Sequence, residues 1–228
     1  VVALTGQVGG AKLVDGFYRL RGKDLAAIVN TGDDYEHLTL AFSPDIDTVL
    51  YVLAGIASPT APWEPAGESR ALFASLKQLG GPERLALGDR SLAAPLLRSA
   101  WLAEDRRLTA ITLDFCRQRG ITARVLPMSD DPVRTHVLTD DGAISFQEYF
   151  TTLACEPVVR GFQYAGADAA MGRFKDAYEQ NQQDSKRRRL AMAQLGEGVG
   201  YGFGTLYGSR KPKTNRTSIT FDEGSDVY

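Results

Sequence analysis

A glycine-rich turn follows the first apolar run of the chain, and this combination constrains the fold more than any other feature. Residues 1–5 form the apolar run, Gly6–Gly10 form the turn, and a second apolar run over 25–29 ends at Asn30. Residues 11–20, between the two runs, suit a helix. A β-α-β unit with such a turn is typical of a parallel sheet, so we predict an α/β fold with a Rossmann-like parallel sheet.

The middle of the chain predicts a helical insertion over about 58–119. A helix capped by Asp45 or Asp47 should precede it and end near Ile56. Helical spacing of apolar residues predicts three further helices, over 68–79, 91–104 and 107–119, the last ending at Gly120. Strands are predicted over 121–126, 134–139, 143–150 and 158–164. Residues 1–170 should therefore form the α/β domain, and 171–228 a polar helical segment over 173–195 with an atypical glycine-rich tail.

Composition excludes some classes of partner. The net charge of −2 gives no general attraction to nucleic acid, and the basic run Lys186–Arg189 is more typical of a solvated helix face. No apolar stretch approaches the ~20 residues of a membrane span, and no signal-peptide pattern opens the sequence. We therefore expect a cytoplasmic protein in which Cys116 and Cys155 are reduced and buried.

The glycine turn can present backbone N–H groups to a phosphate at the start of the following helix. The candidate residues are Gly9, Gly10, Ala11 and Lys12. The turn does not match a Walker A loop or the dinucleotide-binding fingerprint. A tight strand-to-helix connection without a ligand remains the alternative.

Two acidic pairs follow apolar runs: Asp33 and Asp34, then Asp45 and Asp47. Carboxylates at the carboxyl ends of parallel strands lie where open α/β sheets bind ligands. Mg²⁺ prefers oxygen ligands and usually takes one or two protein carboxylates together with water and substrate phosphate. The acids therefore suggest a magnesium site, with turn formation and helix capping as the alternative. Under the magnesium interpretation, asparagine at Asp33 or Asp47 should leave stability nearly unchanged.

Two more loops are candidates for substrate binding. The first contains Gly88, Asp89 and Arg90, and the second contains Met128, Ser129, Asp130 and Asp131. A helix start capped by Ser91 and an ordinary connection are equally compatible with these loops. His136 lies in a strand pattern and suits packing, whereas His37 lies near the acids and is the better catalytic candidate of the two histidines.

These motifs, in this order, resemble the CofD family, the 2-phospho-L-lactate transferases of coenzyme F420 biosynthesis, called FbiA in actinobacteria. The resemblance covers about residues 2–170 and rests on the stretches GQVGGAKL, VNTGDD, SPDIDTVLY, LGDRSLAAPLLR, LPMSDDPVRTHV and ISFQEYF. It implies an enzyme that moves a phospholactyl or phosphoenolpyruvyl group from a guanosine-diphosphate-linked donor to the deazaflavin Fo. GMP is released, Mg²⁺ is required, and a homodimer is expected.

The resemblance also implies roles for individual residues. Catalysis would involve Asp33, Asp34 and Asp45, and the metal would be held by Asp33 with Asp45, Asp47 or both. Substrates would contact Gly9, Gly10, Ala11, Lys12, Asn30, Thr31, Gly88, Asp89, Arg90, Met128, Ser129, Asp130 and Asp131. The small-molecule donor and Fo would be the partners of the protein.

The sequence departs from the family in two places. The family begins its turn with two glycines, whereas Thr5 precedes Gly6 here. The family also continues with a Gly-Pro-Ser-Asn-Pro-type loop beside the nucleotide, and residues 171–228 carry no motif of that kind. Two alternatives therefore stay open: a truncated, catalytically impaired protein that binds Fo or a nucleotide, and another nucleotide-dependent phosphate or sugar enzyme.

Overall fold

The computed structural model describes residues 1–81 and 88–170. Within these residues no helix combines the length and apolar character needed to cross a membrane. The predicted polar helix over 173–195, its basic run and the glycine-rich tail lie outside the described residues.

The first elements form the predicted β-α-β unit. Strand β1 (Val2–Thr5) leads into helix α1 (Gln7–Arg21), and strand β2 (Ala26–Val29) follows. β2 pairs in parallel with β1 on one side and with β5 (Arg124–Pro127) on the other. The α/β class and the parallel sheet are therefore confirmed.

Helix α1 begins earlier than the sequence predicted. We placed its start at Ala11, but the helix begins at Gln7, and the N–H of Gly10 already donates to the carbonyl of Gly6 at 3.2 Å. Glycine suits position 10 because a Cβ there would collide with the side chain of Thr5. The predicted turn is thus the first turn of a helix that packs closely against its own strand.

Three helices cover one face of the parallel sheet. They are α1, α2 (Pro44–Leu53) and α5 (Leu108–Gln118). The core contains Ala3, Ala27, Val29 and Val125 from the sheet, and Val14, Ile46, Val49, Leu50, Ile111 and Phe115 from the helices. Burial alternates along β1, where Val2 and Leu4 point away from these helices and are largely exposed.

The other predicted helices exist with slightly different bounds. Helix α3 spans Ala71–Gln78 and α4 spans Ala93–Ala103, while α2 ends at Leu53 rather than near Ile56. Gly120 ends α5 as predicted: its φ of +69° is in the left-handed region, where glycine is favoured.

A short β-hairpin that the sequence analysis missed connects β2 to α2. Strand β3 (Tyr35–His37) pairs antiparallel with β4 (Leu40–Phe42), and the rings of Tyr35 and Phe42 stack with centroids 4.9 Å apart. The turn residues Leu38 and Thr39 both have positive φ, as a tight hairpin turn requires, although neither residue type favours that conformation. The hairpin therefore had no turn signal in the sequence.

The last three strands of the described residues form a separate antiparallel sheet. Its order is β7-β6-β8, with β6 spanning Arg134–Thr139, β7 Gly142–Ser145 and β8 Gly161–Ala165. The predicted strand over 143–150 ends early, because residues Glu148–Thr152 wind into a π-helical turn. The predicted positions of β6 and of the turn after it are confirmed.

The two cysteines lie in different environments. Both are unpaired, as predicted. Cys116 is buried in α5, and burial raises the pKa of its thiol to about 11. Cys155 is exposed, so the expectation that both thiols are buried was wrong for this residue.

Candidate functional site

A neutral amide joins two of the predicted acids. The Nδ2 of Asn30 donates to Asp33 Oδ2 at 3.2 Å and to Asp45 Oδ2 at 2.9 Å. The Oδ1 of the same side chain accepts the N–H of Gly32 at 2.9 Å, which turns the chain as β2 ends. Because Asp33 follows β2 and Asp45 lies in the first turn of α2, Asn30 holds together two acids from separate elements.

The start of α1 closes over Asp45. The N–H of Gln7 donates to this carboxylate. A Cβ at position 6 would lie only 2.7 Å from Asp45 Oδ2, so glycine at this position allows the close approach. Asp45 therefore occupies part of the phosphate-binding position predicted for the helix start. The N–H groups of Val8 and Gly9 have no acceptor within the helix, as at any helix start.

Burial destabilises the ionised form of both Asp33 and Asp45. It raises the pKa of Asp33, with hydrogen bonds from Thr135, Asn30 and Gln7 opposing the rise. Burial also raises the pKa of Asp45 to about 6, where the amide of Asn30 opposes the effect and the charge of Asp33 adds to it. Asp45 Oδ1 is buried and has no hydrogen-bond partner in the described part of the molecule. An orphaned carboxylate oxygen beside a second carboxylate fits a hard divalent cation.

Asp34 has a different environment from its neighbour Asp33. Ser43 Oγ donates to Asp34 Oδ2 at 2.7 Å, while Asp34 Oδ1 is buried and unpartnered among the described residues. Burial raises the pKa of Asp34 to about 7, and the contact with Ser43 and the charges of Arg98 and Arg134 oppose the rise. This carboxyl can therefore exchange a proton near neutral pH.

Asp47 forms an ion pair with a buried arginine that sequence analysis missed. Arg98 Nη2 lies 2.5 Å from Asp47 Oδ1, and Nη1 donates to Asp47 Oδ2 at 3.2 Å. The described residues contain no group of three or more acidic, histidine or cysteine side chains able to hold a metal. The structure thus brings Asp33 and Asp45 together, but Asp47 does not join them in a three-carboxylate cluster. The available signal was an arginine on the apolar face of a predicted helix.

The remaining residues predicted in the glycine turn differ in their accessibility. Gly9 and Lys12 are exposed, whereas Ala11 is fully buried against the core. The N–H of Gly10 is used within the helix. Only part of the predicted cradle therefore faces solvent.

The Gly88–Arg90 loop is held by capping interactions. The carboxylate of Asp89 accepts the N–H groups of Ala71 and Leu72 at 3.2 and 3.1 Å, which caps α3. In return, Glu68 accepts the N–H of Arg90 at 2.7 Å. Arg90 Nη1 donates to the carbonyl of Ala66 at 2.8 Å. Asp89 and Arg90 thus have structural partners, and Glu68 is a loop-organising residue that sequence analysis missed.

The loop after β5 also caps a helix. Asp130 Oδ1 accepts the N–H of Thr109 at 2.7 Å, at the start of α5. Ser129 Oγ accepts the N–H of Asp131 at 2.9 Å, and Met128 is half exposed. Thr31, the remaining predicted contact residue, is buried, and its Oγ1 has no hydrogen-bond partner in the described part of the molecule.

Two adjoining cavities lie beside the acids. A cleft of about 460 Å³ is lined by Asp33 and Asp34, by both histidines, and by Arg134, among others. A second cavity of about 240 Å³ is lined by four aromatic residues together with Asp47, Glu64 and Gly88, among others. Its aromatic members are Tyr35, Phe42, Tyr51 and Trp63. The two cavities share Tyr35, Gln147 and Thr151 as a common wall.

Comparison with known proteins identifies similar sequences over most of the chain. The family model described as 2-phospho-L-lactate transferase CofD matches residues 1–189. The chain is 38% identical to a phosphoenolpyruvate transferase of Kitasatospora aureofaciens, across 75% of this chain and 55% of that protein. It is 36% identical to a 2-phospho-L-lactate transferase of Methanospirillum hungatei, across 66% of this chain and 51% of that protein. The chain thus spans about half the length of these curated relatives.

A solved structure is also similar to the chain. A UPF0052-family protein of Bacillus halodurans aligns with a TM-score of 0.44 and 17% sequence identity, covering 72% of this chain and 50% of that one.

Proposed function

The chain belongs to the CofD family of 2-phospho-L-lactate transferases, and from this premise we propose its reaction. The protein transfers a phospholactyl or phosphoenolpyruvyl group from a guanosine-diphosphate-linked donor to a hydroxyl of the deazaflavin Fo. GMP leaves, and the product belongs to coenzyme F420 biosynthesis. The observation that carries the proposal is the pair Asp33 and Asp45, bridged by Asn30 at the carboxyl edge of a parallel sheet and beside a helix start.

The acid pair supports a magnesium ion as the cofactor. Asp33 and Asp45 would supply the protein oxygens, and the unpartnered Asp45 Oδ1 gives the site an acceptor without a donor. Two carboxylates are enough, since Mg²⁺ usually completes its shell with water and substrate phosphate. When bound, the ion would neutralise charge on the donor's diphosphate, which is the main requirement of phosphoryl-type transfer.

Asp34 is the candidate to accept the proton of the attacking hydroxyl. It lines the cleft next to Asp33, and burial raises its pKa to about 7. A base is most effective when its pKa lies near the working pH. In the proposed step the hydroxyl oxygen bonds to the phosphorus that carries the lactyl or enolpyruvyl group. The bond between this phosphorus and the oxygen of GMP breaks, and the hydroxyl proton moves to Asp34 Oδ1.

The aromatic cavity supports a flat acceptor. Four aromatic residues contribute to the lining of a cavity of about 240 Å³ that adjoins the acid-lined cleft. Deazaflavin rings stack on aromatic faces, and a ribityl chain extending past the shared wall would reach the cleft. Gly88, which the resemblance assigns to substrate contact, lies on this side together with Asp47, which the resemblance assigned to the metal.

The test combines binding with turnover. Purified protein is titrated with Fo while deazaflavin fluorescence is followed, with and without Mg²⁺, and GMP release is measured after the guanylated donor is added. We expect Mg²⁺-dependent product with the wild type and a large loss with Asp33→Asn. The exposed Asp24 provides a matched control, since Asp24→Asn should retain activity.

The same titration separates the alternatives. Fo binding without GMP release would contradict the transferase and favour a binding protein. Failure to bind Fo in any condition would contradict both, and would favour a different nucleotide-dependent enzyme.

A further inference from the structure

Arg98 is a charged side chain completely enclosed by the fold. Its relative exposure is 1%, and it belongs to α4, where Ala94 and Pro95 share its buried face. Both terminal nitrogens contact Asp47, and Nη1 also donates to the carbonyl of Ala41 at 3.1 Å. A buried ion pair is weak evidence for stability, because removing two charges from water costs nearly as much as their attraction returns. Its presence therefore requires another explanation.

The partner of Arg98 lies on the wall of the aromatic cavity. Asp47 lines this cavity together with Tyr35 and Tyr51. Burial, followed by the charge of Asp47, raises the pKa of both tyrosine hydroxyls, which therefore stay protonated. The lining contains two carboxylates, Asp47 and Glu64. Glu64 pairs with the partly exposed Arg70, whereas Asp47 is held by the buried Arg98. The orientation of Asp47 therefore decides where one donor group of a ligand could bind.

We infer that Arg98 is a positioning residue. It fixes the Asp47 carboxylate so that this group accepts a hydrogen bond from the flat aromatic molecule that receives the transferred group and binds in the cavity. This inference rests on the proposed function and assigns a role to a side chain that touches no substrate. The two-pronged contact fixes the plane of the carboxylate, whereas each oxygen keeps a further lone pair. Lysine offers a single charged nitrogen and cannot hold both oxygens in the same way.

The first experiment measures Fo affinity by fluorescence for Arg98→Lys, Asp47→Asn and the double variant. We expect Arg98→Lys and Asp47→Asn each to weaken binding about tenfold, which corresponds to one hydrogen bond to a charged group. The double variant should be no weaker than Asp47→Asn, because arginine acts through aspartate. The KM for the guanylated donor should not change, since the donor would occupy the cleft.

A matched control exists on the surface. Arg160 also makes a two-pronged contact, from Nε and Nη2 to the two oxygens of Asp140 at 2.8 Å each, but both side chains are largely exposed. Arg160→Lys changes the same chemical groups and should leave Fo affinity unaltered. Thermal melting identifies the variants that fold.

Each outcome decides the inference. Unchanged Fo affinity in folded Arg98→Lys, or additive losses of affinity in the double variant, would overturn the inference about Arg98. Turnover by the wild type would still support the proposed function in that case. If Arg98→Lys does not fold, Arg98→Met with Asp47→Asn removes both buried charges, and retained Fo binding by that variant would overturn the inference. Absence of Fo binding by the wild type would overturn the acceptor assignment itself, and this inference with it.

Discussion

Replacing Asp45 by asparagine should make the protein more stable and less active. The carboxylate is almost fully buried, and its pKa rises from 3.8 to about 6, mainly because of burial. Such a rise corresponds to about 3 kcal/mol of unfavourable free energy in the ionised folded state. Asparagine can keep an oxygen at the Oδ2 position, where Asn30 and Gln7 donate, but its Nδ2 then lies at the buried Oδ1 position without an acceptor, which costs about 1 kcal/mol. The expected net gain near pH 8 is about 2 kcal/mol.

The pH dependence distinguishes this explanation from a general packing effect. Because the folded-state pKa of Asp45 lies above its value in the unfolded chain, the folded protein binds the extra proton between these values. The contribution of Asp45 therefore lowers wild-type stability as pH rises from about 4 to about 6, and the full penalty remains above that window. Near pH 5 about half of the penalty is present, so the gain from asparagine should fall below about 1 kcal/mol.

Urea denaturation followed by tryptophan fluorescence, in the presence of a metal chelator, measures this gain. Asp24→Asn is the control, because that carboxylate is exposed. A variant no more stable than the wild type near pH 8, or one with the same gain at both pH values, would refute the reasoning. Added Mg²⁺ should raise the wild-type melting temperature and leave that of Asp45→Asn nearly unchanged, since only the wild type has both carboxylates.

Three other predictions follow from individual contacts. Asp47→Asn should destabilise the fold by about 3 kcal/mol, because it leaves Arg98 buried without a counter-charge; a melting temperature close to that of the wild type would contradict this. Gln7 has a φ of +46°, so Gln7→Gly should relieve about 1 kcal/mol of backbone strain in urea denaturation, and a loss of stability would show that its side chain matters more. Asp130→Ala removes the cap of α5 and should cost about 1 kcal/mol, whereas Asp130→Asn should retain most of that stability.

The prediction for Asp47 replaces the one drawn from sequence, and the reason is general. A spacing of two residues suggested that Asp45 and Asp47 would point to one site, but on α2 they lie on different faces. Asp47 instead meets Arg98, which lies 51 residues away in the sequence. No local pattern encodes such a contact, because it depends on the packing of α4 against the segment before α2.

Other parts of the site were accessible from sequence. The apolar run over 25–29, followed by Asn30 and Asp33, marked the carboxyl end of a strand, and the fold brought these two residues beside the start of α2. The roles of the capping residues were harder to predict, because Asp89 and Asp130 cap helices that lie far from them in the sequence. A sequence shows which residues can cap a helix, but the helix that they reach is decided by tertiary structure.

The narrow gap at Gly6 has a consequence for engineering. Since a side-chain carbon there would meet Asp45, the spacing between the two helix starts is set by the thickness of one carboxylate group. The glycine turn is therefore not a portable anion-binding module. Transplanting the glycine turn to another scaffold would require the start of α2 to be moved with it, at the same separation. Without α2, the transplanted turn would lack the carboxylate of Asp45.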